Sequence, residues 1–521
     1  MIKEIQIYLL PEQVFMEDDL LKAASLFLKL DENRINHIEI IKRSIDARRI
    51  PVKYQIKALA YVDEEFKEGV NTIAYQNVEK SKDFVVIIGS GPAGLFAALQ
   101  ALELGFKPII FERGKDVRTR RKDLAIINKE GVVNPESNYC YGEGGAGTYS
   151  DGKLYTRSKK RGNVKRVLEA LVYHGADKNI LVDAHPHIGT NKLPQLIANI
   201  REQIISCGGE IHFDSKMTDI LIEQGKVKGI SINDSQNVSC DKLILATGHS
   251  ARDIYFLLDK KGVKQEYKSF AMGVRVEHSQ TLIDKIQYKC NDDRGEYLPP
   301  ASYSLVEQTG DRGVYSFCMC PGGVIAPCAT SEGEVVTNGW SPSKRNNPFS
   351  NSGIVTEVRW DDISDFHDYG ALAGVYFQKS VEEKCWRMGG HGQKVPAQRM
   401  VDFVEGIKSE DLPKTSYYPG IKSVQLSDVL PKFITKALRE GFKAFKTKIK
   451  GYYTNEAVLH AVESRTSSPV RIPRDKESFE HIEVKGLYPV GEGAGYAGGI
   501  VSAAIDGQRC IEAIVHGKVL D

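Results

Sequence analysis

From residue 84 the chain runs through six mostly apolar positions, FVVIIG, and breaks into a cluster of glycines. It then spaces Ala and Leu at helical period over 95–104, and a second apolar run follows at 108–111. The first run predicts a buried strand. The Ala/Leu run predicts a helix that Gly105 can stop in a left-handed C-cap, and the second run predicts another strand with Glu112 at its end. This is a βαβ crossover. Upstream, 4–10 alternates like a strand, 18–30 is helix-like, and 37–43 and 53–62 read as strands around SIDARRIP. That β-α-β-β order predicts a small α+β module over residues 1–80, with SIDARRIP read as a polar connection.

Downstream, the spacing predicts a charged helix over 114–130, an amphipathic helix over 163–173 and a helix over 191–207. A strand follows at 210–213, then a hairpin of 217–222 with 227–232, and a buried strand at 242–246 that runs into Thr247-Gly248-His249-Ser250. The texture changes at residue 267. Segments 270–277 and 313–320 alternate as sheet strands should, and long polar loops such as 341–351 interrupt them. This predicts a second domain over 267–459, largely an antiparallel sheet, with helices around 363–388 and 396–406 and further helix or loop in 424–452. A short strand at 487–490 and an Ala-rich helix opening at Ile500 return the chain to the first domain, which is thus composed of 81–266 and 460–521. The expected fold class is α/β: a Rossmann-like FAD/NAD(P)-binding domain with an inserted α+β antiparallel-sheet substrate domain and a small N-terminal α+β module.

Candidate chemistry concentrates at the glycines. Gly89-Ser90-Gly91-Pro92-Ala93-Gly94 is G-x-G-x-x-G between a strand and a helix. Gly89 allows the tight turn, Gly91 lets backbone approach a pyrophosphate, and Gly94 lets helix and strand pack closely. The helix N-terminus offers free N–H groups to phosphates. Glu112 can accept hydrogen bonds from ribose hydroxyls, and Arg113 beside it joins the candidate set. The context therefore predicts dinucleotide binding.

The stretch 138–157, NYCYGEGGAGTYSDGKLYTR, is too glycine-rich for regular structure. Such a loop can wrap a bulky cofactor with backbone N–H groups. Gly145, Thr148 and Ser150 are cofactor candidates, with Asp151 and Lys153 adding charge. Thr247 and Gly248 bring backbone back to the crevice. At the far end, Gly491-Glu492-Gly493-Ala494-Gly495 leads to Gly498-Gly499-Ile500 and a second helix N-terminus aimed at the same crevice. A nicotinamide crevice has no need of it, whereas FAD does. Glu492 fits the ribityl hydroxyls, and N–H groups near Gly499 and Ile500 fit the flavin edge where reduced flavin carries charge. FAD is the expected cofactor.

Composition narrows the alternatives. The 521 residues carry a formal net charge of +2, so no global field favours nucleic acid or an anionic membrane. Basic runs at Arg118 to Lys122 and Lys159 to Arg161 read as solvated helix faces. No run reaches about 18 uninterrupted apolar residues, and the first residues lack signal-peptide order. Nine cysteines, an odd number with no C-x-x-C, suggest reduced thiols in a cytoplasmic compartment. Cys318, Cys320 and Cys328 form C-x-C-x7-C without a fourth ligand at suitable spacing, and read as strand-borne structural thiols. As a redox pair, C-x-C would be a strained arrangement. His185 and His187 share one side of a strand and read as structural or substrate-facing rather than metal-binding, and no metal site is expected.

IIGSGPAG with Glu112, ILATG at Thr247-Gly248 and the C-terminal GEGAGYAGGI together resemble the FAD-binding class shared by p-hydroxybenzoate hydroxylase and glutathione reductase. EGGAGTYSDGKLYTR, KRSIDARR, FCMCPGGVI, NGWSPSKRNNPFSNSG and PAQRMVDF resemble bacterial proteins described as NAD(FAD)-utilising or FAD-dependent dehydrogenases, over essentially the whole chain. The resemblance implies that Gly89, Gly91 and Gly94 take the pyrophosphate and Glu112 the adenosine ribose. It further implies that backbone near Met217 takes the adenine, and Glu492 with the Gly498–Ile500 turn the ribityl and flavin. Pro92, Ala93 and Gly491 lie in the same turns. The sequence departs from disulfide reductases, since Tyr149-Ser150-Asp151 stands where their C-x4-C pair would be. It also has no second G-x-G-x-x-G unit, so NADH or NADPH would serve only as a transient donor. The expected function is an FAD-dependent oxidoreductase, a dehydrogenase moving a hydride or electron pair to or from an organic small molecule. The alternatives are a flavin monooxygenase, an RNA-modifying flavoprotein and a non-catalytic FAD-binding redox sensor. Asp151, Lys153, His249 and Tyr496 are the candidates for acid–base work near the flavin, with none singled out. Neither nucleic acid nor membrane is an expected partner.

Overall fold

The computed structural model of the chain describes residues 1–67, 73–156, 162–291 and 293–517; the basic run Lys159 to Arg161 lies outside the described residues. A five-stranded parallel sheet organises the cofactor-type domain. Its order is Leu487–Pro489, Leu243–Leu245, Phe84–Ile88, Lys107–Phe111, Glu210–His212. The three strands Leu487–Pro489, Leu243–Leu245 and Phe84–Ile88 are apolar throughout because both faces are covered, whereas the edge strand Glu210–His212 is partly exposed and carries Glu and His. On one face lie Pro92–Glu103, Leu193–Ser206 and Ile500–His516, whose Ala, Leu and Ile side chains share a core with Val85, Ile87 and Ile244. The other face is covered by the antiparallel sheet Met217–Glu223, Lys226–Ile232, Gln236–Ser239 and by the helix Arg252–Lys260. The helices Pro92–Glu103 and Ile500–His516 touch so closely that a Cβ at Gly507 would lie 2.1 Å from Ala93 O. Sequence-distant segments are thereby fixed side by side.

A seven-stranded sheet forms the second domain, in the order Val306–Thr309, Arg312–Cys320, Phe349–Val358, Phe270–Ser279, Val458–Glu463, Val395–Arg399, Ile421–Ser423. All its pairs are antiparallel except the last. The helices Ala373–Gly389 and Lys432–Lys448 pack against it. The N-terminal strands Ile2–Leu9, Ile35–Asp46 and Lys53–Val62 pair antiparallel in the order first, third, second, with the helix Glu17–Leu28 against them. Their buried face shares one core with Tyr288, Leu298 and Tyr303 of the second domain.

Three local expectations change. The segment 396–406 is not one helix: Val395–Arg399 is a strand between Val458–Glu463 and Ile421–Ser423, and only Met400–Glu405 is helical. Burial on both sides of a central strand overrides local spacing there. The polar loop expected over 341–351 gives way at Phe349 to the strand Phe349–Val358, whose Ser350, Asn351 and Ser352 are buried. Within SIDARRIP, Ser44 to Asp46 continue the strand Ile35–Asp46. Arg43 just before them bonds Asp183 at 2.8 Å and ties the module to the first domain.

Candidate functional site

A crevice of ≈ 410 Å³ opens where the parallel strands end and the second domain begins. The glycines in and beneath its floor divide into two kinds. A Cβ on Gly89 would strike Ala246 O at 2.6 Å, and one on Gly94 would strike Gly89 O at 2.0 Å. Those two are required by packing between turn, strand and helix. A Cβ on Gly91 would come no nearer than 3.9 Å to Gly145 Cα, and one on Gly248, Gly498 or Gly499 would meet nothing within 4 Å. All four line the crevice. No packing contact within the protein excludes a Cβ at these four positions, so they leave the floor open to a ligand; Gly248 is also called for by its φ of +72°.

Two helices present their N-termini to this floor. Pro92–Glu103 begins at Gly91 and Ile500–His516 at Gly499, neither with a side-chain cap. Their leading N–H groups are left to a ligand, and the helix dipoles favour negative charge there by about 0.3–1 kcal/mol each when exposed. Asp506 fixes the turn before the second helix, accepting from Gly491 N at 2.7 Å and pairing with Arg474 at 2.6 Å.

Glu112 is a hub of the rim. It accepts from Ser90 N and Ser90 Oγ at 2.9 Å, from Gly114 N at 2.9 Å and from Gly142 N at 3.0 Å. These bonds tie the glycine turn to the loop 138–156. Arg113 lies over the Tyr141 ring and pairs with Glu136 and Asp253. Buried Arg120 holds the loop from beneath, donating to Asn138 O, Glu143 O and Gly145 O. The glycine-rich stretch is therefore irregular yet anchored, with one 3-10 turn at Gly145–Gly147.

Of the cofactor candidates, Gly89, Gly91, Pro92, Ala93, Glu112, Arg113, Gly145, Ser150, Met217, Thr247, Gly248, Gly491, Glu492, Gly499 and Ile500 line the crevice. Gly94 and Thr148 do not: Gly94 faces the strand, and the buried Thr148 hydroxyl donates to Glu143 O at 2.7 Å. Among the acid–base candidates Asp151, Lys153 and His249 line it, His249 Nδ1 lying 3.2 Å from Glu492 Oε2. Tyr496 stands apart, its hydroxyl accepting from Arg474 N.

The end of the crevice toward the second domain is walled by charge. Lys153 pairs with buried Asp151 at 3.0 Å, and Asp151 is held by Arg345 at 2.6 Å. Burial pushes the Asp151 carboxyl up, but Lys153 and Arg345 outweigh it and hold it below the ordinary carboxylate range. Arg275 grips Glu463 through two 2.8 Å bonds. Arg465 and Arg252 share Glu334 and Glu382. Glu463, Arg465, Thr337, Asn338 and Cys318 all face the crevice, and the buried Thr337 Oγ1 has no hydrogen-bond partner. Arg345, Arg465 and Glu463 escape sequence reasoning because only the tertiary fold brings Arg345 to Asp151 and the other two to the crevice wall. His187 Nε2 donates to Ser343 O at 3.1 Å, and His185 lies against Tyr155.

The residues fit FAD. Gly91 and the Pro92–Glu103 N-terminus would hold the pyrophosphate, the Met217 end the adenine, and Glu492 with Gly499 and Ile500 the ribityl and flavin.

Comparison with known proteins supports FAD as the cofactor. Residues 83–282 match the family model of pyridine nucleotide-disulphide oxidoreductases. Residues 269–466 match that of the FAD-dependent protein C-terminal domain, and residues 1–61 match a domain of unknown function. A Clostridium beijerinckii protein, described as uncharacterized, is 40% identical over 508 residues, 94% of each chain. A thiamine thiazole synthase of Aeropyrum pernix is 23% identical over 50% of this chain and 77% of its own. Among solved structures, FqzB aligns over 85% of this chain and 79% of its own at 14% identity and TM-score 0.35. CtdE in complex with FAD aligns over 84% of each chain at 11% identity and TM-score 0.32. The flavin-dependent brominase Bmp2 aligns over 83% of this chain and 78% of its own at 13% identity and TM-score 0.34. These structural likenesses carry no argument about the reaction. FAD is the cofactor, and the chain belongs, with the Clostridium beijerinckii protein, to a family of FAD-binding oxidoreductases.

Proposed function

We propose that the protein is a dehydrogenase that passes a hydride or electron pair between a donor and an organic substrate held against the second domain. The observation that carries this reading is the shape of one crevice: an open glycine floor with two uncapped helix N-termini at one end, and a wall of buried charges at the other. FAD supplies the acceptance and return of an electron pair. The chain's own residues supply position and electrostatics. The half-buried Lys153 ammonium, which its thiol and carboxylate neighbours keep charged against burial, offers N–H donors to a polar group of the substrate. Thr337 Oγ1 offers a further donor. Asp151, ionised between two cations, holds Lys153 in place rather than moving a proton. His249, 3.2 Å from Glu492, can hold or release a proton at the ribityl side.

No second glycine fingerprint follows the first, so a nicotinamide donor would bind only transiently beside the flavin. The test is an anaerobic visible spectrum of the purified yellow protein titrated with NADH and then NADPH. Bleaching by one of them, with reoxidation by an organic acceptor in the absence of oxygen, is the expected outcome. Reoxidation only by oxygen, coupled to substrate, would instead make it a monooxygenase. Bleaching by dithionite alone would overturn the nicotinamide donor.

A further inference from the structure

Cys318 and Cys320 end the strand Arg312–Cys320, where its register against Phe349–Val358 slips between Phe317 and Cys320. Cys318 sits at the slip with φ +47°. A residue with a Cβ rarely adopts that left-handed conformation. Bulges of this kind re-aim side chains. Here the two side chains lie within interacting range of each other, and Cys320 Sγ donates to Cys318 O at 3.3 Å. Lys153 Nζ stands over both, 3.8 Å from Cys318 Sγ and 3.5 Å from Cys320 Sγ. Cys318 lines the crevice with Gly91, Glu492 and Gly499, while Cys320 is wholly buried behind it.

The charges facing the pair come from several elements. Lys153 and Asp151 belong to the glycine-rich loop, Arg345 to the loop before Phe349–Val358, Arg275 to Phe270–Ser279 and Glu463 to Val458–Glu463. Arg275 NH1 also bonds Cys318 O at 3.4 Å. The Cys320 hydrogen bond pulls the Cys318 thiol well below the ordinary thiol range; Lys153 and Arg275 add to it, while burial and Asp151 oppose. The same hydrogen bond and burial push Cys320 well up. The two sulfurs are thus driven apart, Cys318 toward the thiolate and Cys320 toward the thiol. Cys328, which also lines the crevice, differs: burial, Cys140 and Glu463 push its thiol up.

We propose that Cys318 and Cys320 are a redox-active thiol pair that exchanges an electron pair with FAD in the crevice, Cys318 facing the flavin and Cys320 closing the disulfide. In one direction the Cys318 thiolate, the Cys320 thiol and FAD become the Cys318–Cys320 disulfide and FADH⁻. The sulfurs lose two electrons and form the S–S bond, and the Cys320 proton goes with the electron pair to the flavin. In the other direction FADH⁻ reduces the disulfide. The proposal rests on FAD occupying the crevice and deepens the reading of the protein as an oxidoreductase by giving it a second electron store beside the flavin. Lys153 is a positioning residue for the pair.

The experiment is an anaerobic dithionite titration of FAD-loaded protein, first oxidised with diamide and desalted. Uptake of two electron pairs per FAD is expected, falling to one in both Cys318→Ser and Cys320→Ser. A peptide map of the diamide-treated protein should show the Cys318–Cys320 disulfide. Iodoacetamide should alkylate Cys318 with a pH midpoint below the free-thiol value of about 8.5, and Lys153→Met should raise that midpoint by about one pH unit. One electron pair in the wild type, or two that persist in both serine variants, overturns the proposal. If the serine variants fail to fold, the wild-type count and peptide map decide it. A protein that takes up no FAD fails at the cofactor instead and is recognised by its missing flavin spectrum.

Discussion

Gly91 and Gly94 stand three residues apart in one turn, yet the structure gives them different work. Gly94 carries no Cβ because Gly89 O occupies that space at 2.0 Å, and both are backbone. Gly94→Ala should therefore lower stability by about 1–3 kcal/mol, read as a lower denaturation midpoint with or without FAD. Gly91 has room on its protein side and an ordinary φ of −72°. Gly91→Val should leave the apoprotein's midpoint within about 0.5 kcal/mol and weaken FAD roughly 10–100-fold in a fluorescence titration, since its methyls would point into the crevice where a pyrophosphate would lie. Equal losses in both assays would show that the glycines share one role.

At the scale of elements, a buried cluster couples the two domains. Arg252 heads the helix Arg252–Lys260 of the first domain, Glu382 lies in Ala373–Gly389 of the second, and Arg465 follows Val458–Glu463. Glu382 makes contact with both arginines and is fully buried. Removing one member of such a cluster leaves an uncompensated charge, at about 3–5 kcal/mol. Glu382→Gln should lose about that much in urea unfolding, and Arg252→Met less when combined with it than the sum of the two alone. Additive losses would mean that the cluster does not act as a unit.

None of this cluster is legible in the sequence, because its members come from segments far apart. The crossover at 84–112 is legible because strand, turn, helix and strand are local and each period is clean. Val395–Arg399 is misread for the opposite reason: a central strand buried on both sides shows no alternation, and a helix follows at once. The Cys318 environment is hidden too, since a bulge, a lysine from the loop 138–156 and an arginine from another strand must meet before the thiols differ from structural ones.

Across the whole molecule, acid sensitivity follows from buried imidazoles. Burial holds His174, His278 and His460 down to about 4, against 6.5 for a free histidine. His460 is placed between Thr415 Oγ1 at 2.9 Å and Arg275 O at 3.2 Å, which suits the neutral ring donating from Nδ1. The folded pKa is the depressed one, so between pH 6.5 and about 4 the unfolded chain binds protons that the folded chain does not. Unfolding free energy should fall as pH drops through that window, by about 1–2 kcal/mol per histidine from pH 7 to pH 5. Urea midpoints at both pH values should show it, and His460→Asn should shrink the difference. A difference unchanged in the variant would remove His460 from the account.

The close meeting of Gly507 with Ala93 O has a consequence for biosynthesis. The ribosome makes the strand Phe84–Ile88 and its glycine turn early, and they emerge competent in local shape. The second uncapped helix, Ile500–His516, is made only after the whole of the second domain. A nascent chain therefore carries half a cradle through most of its synthesis. The first crossover waits with one apolar helix face uncovered until Ile500–His516 packs on it, so a cradle that uses both helix N-termini is completed only then.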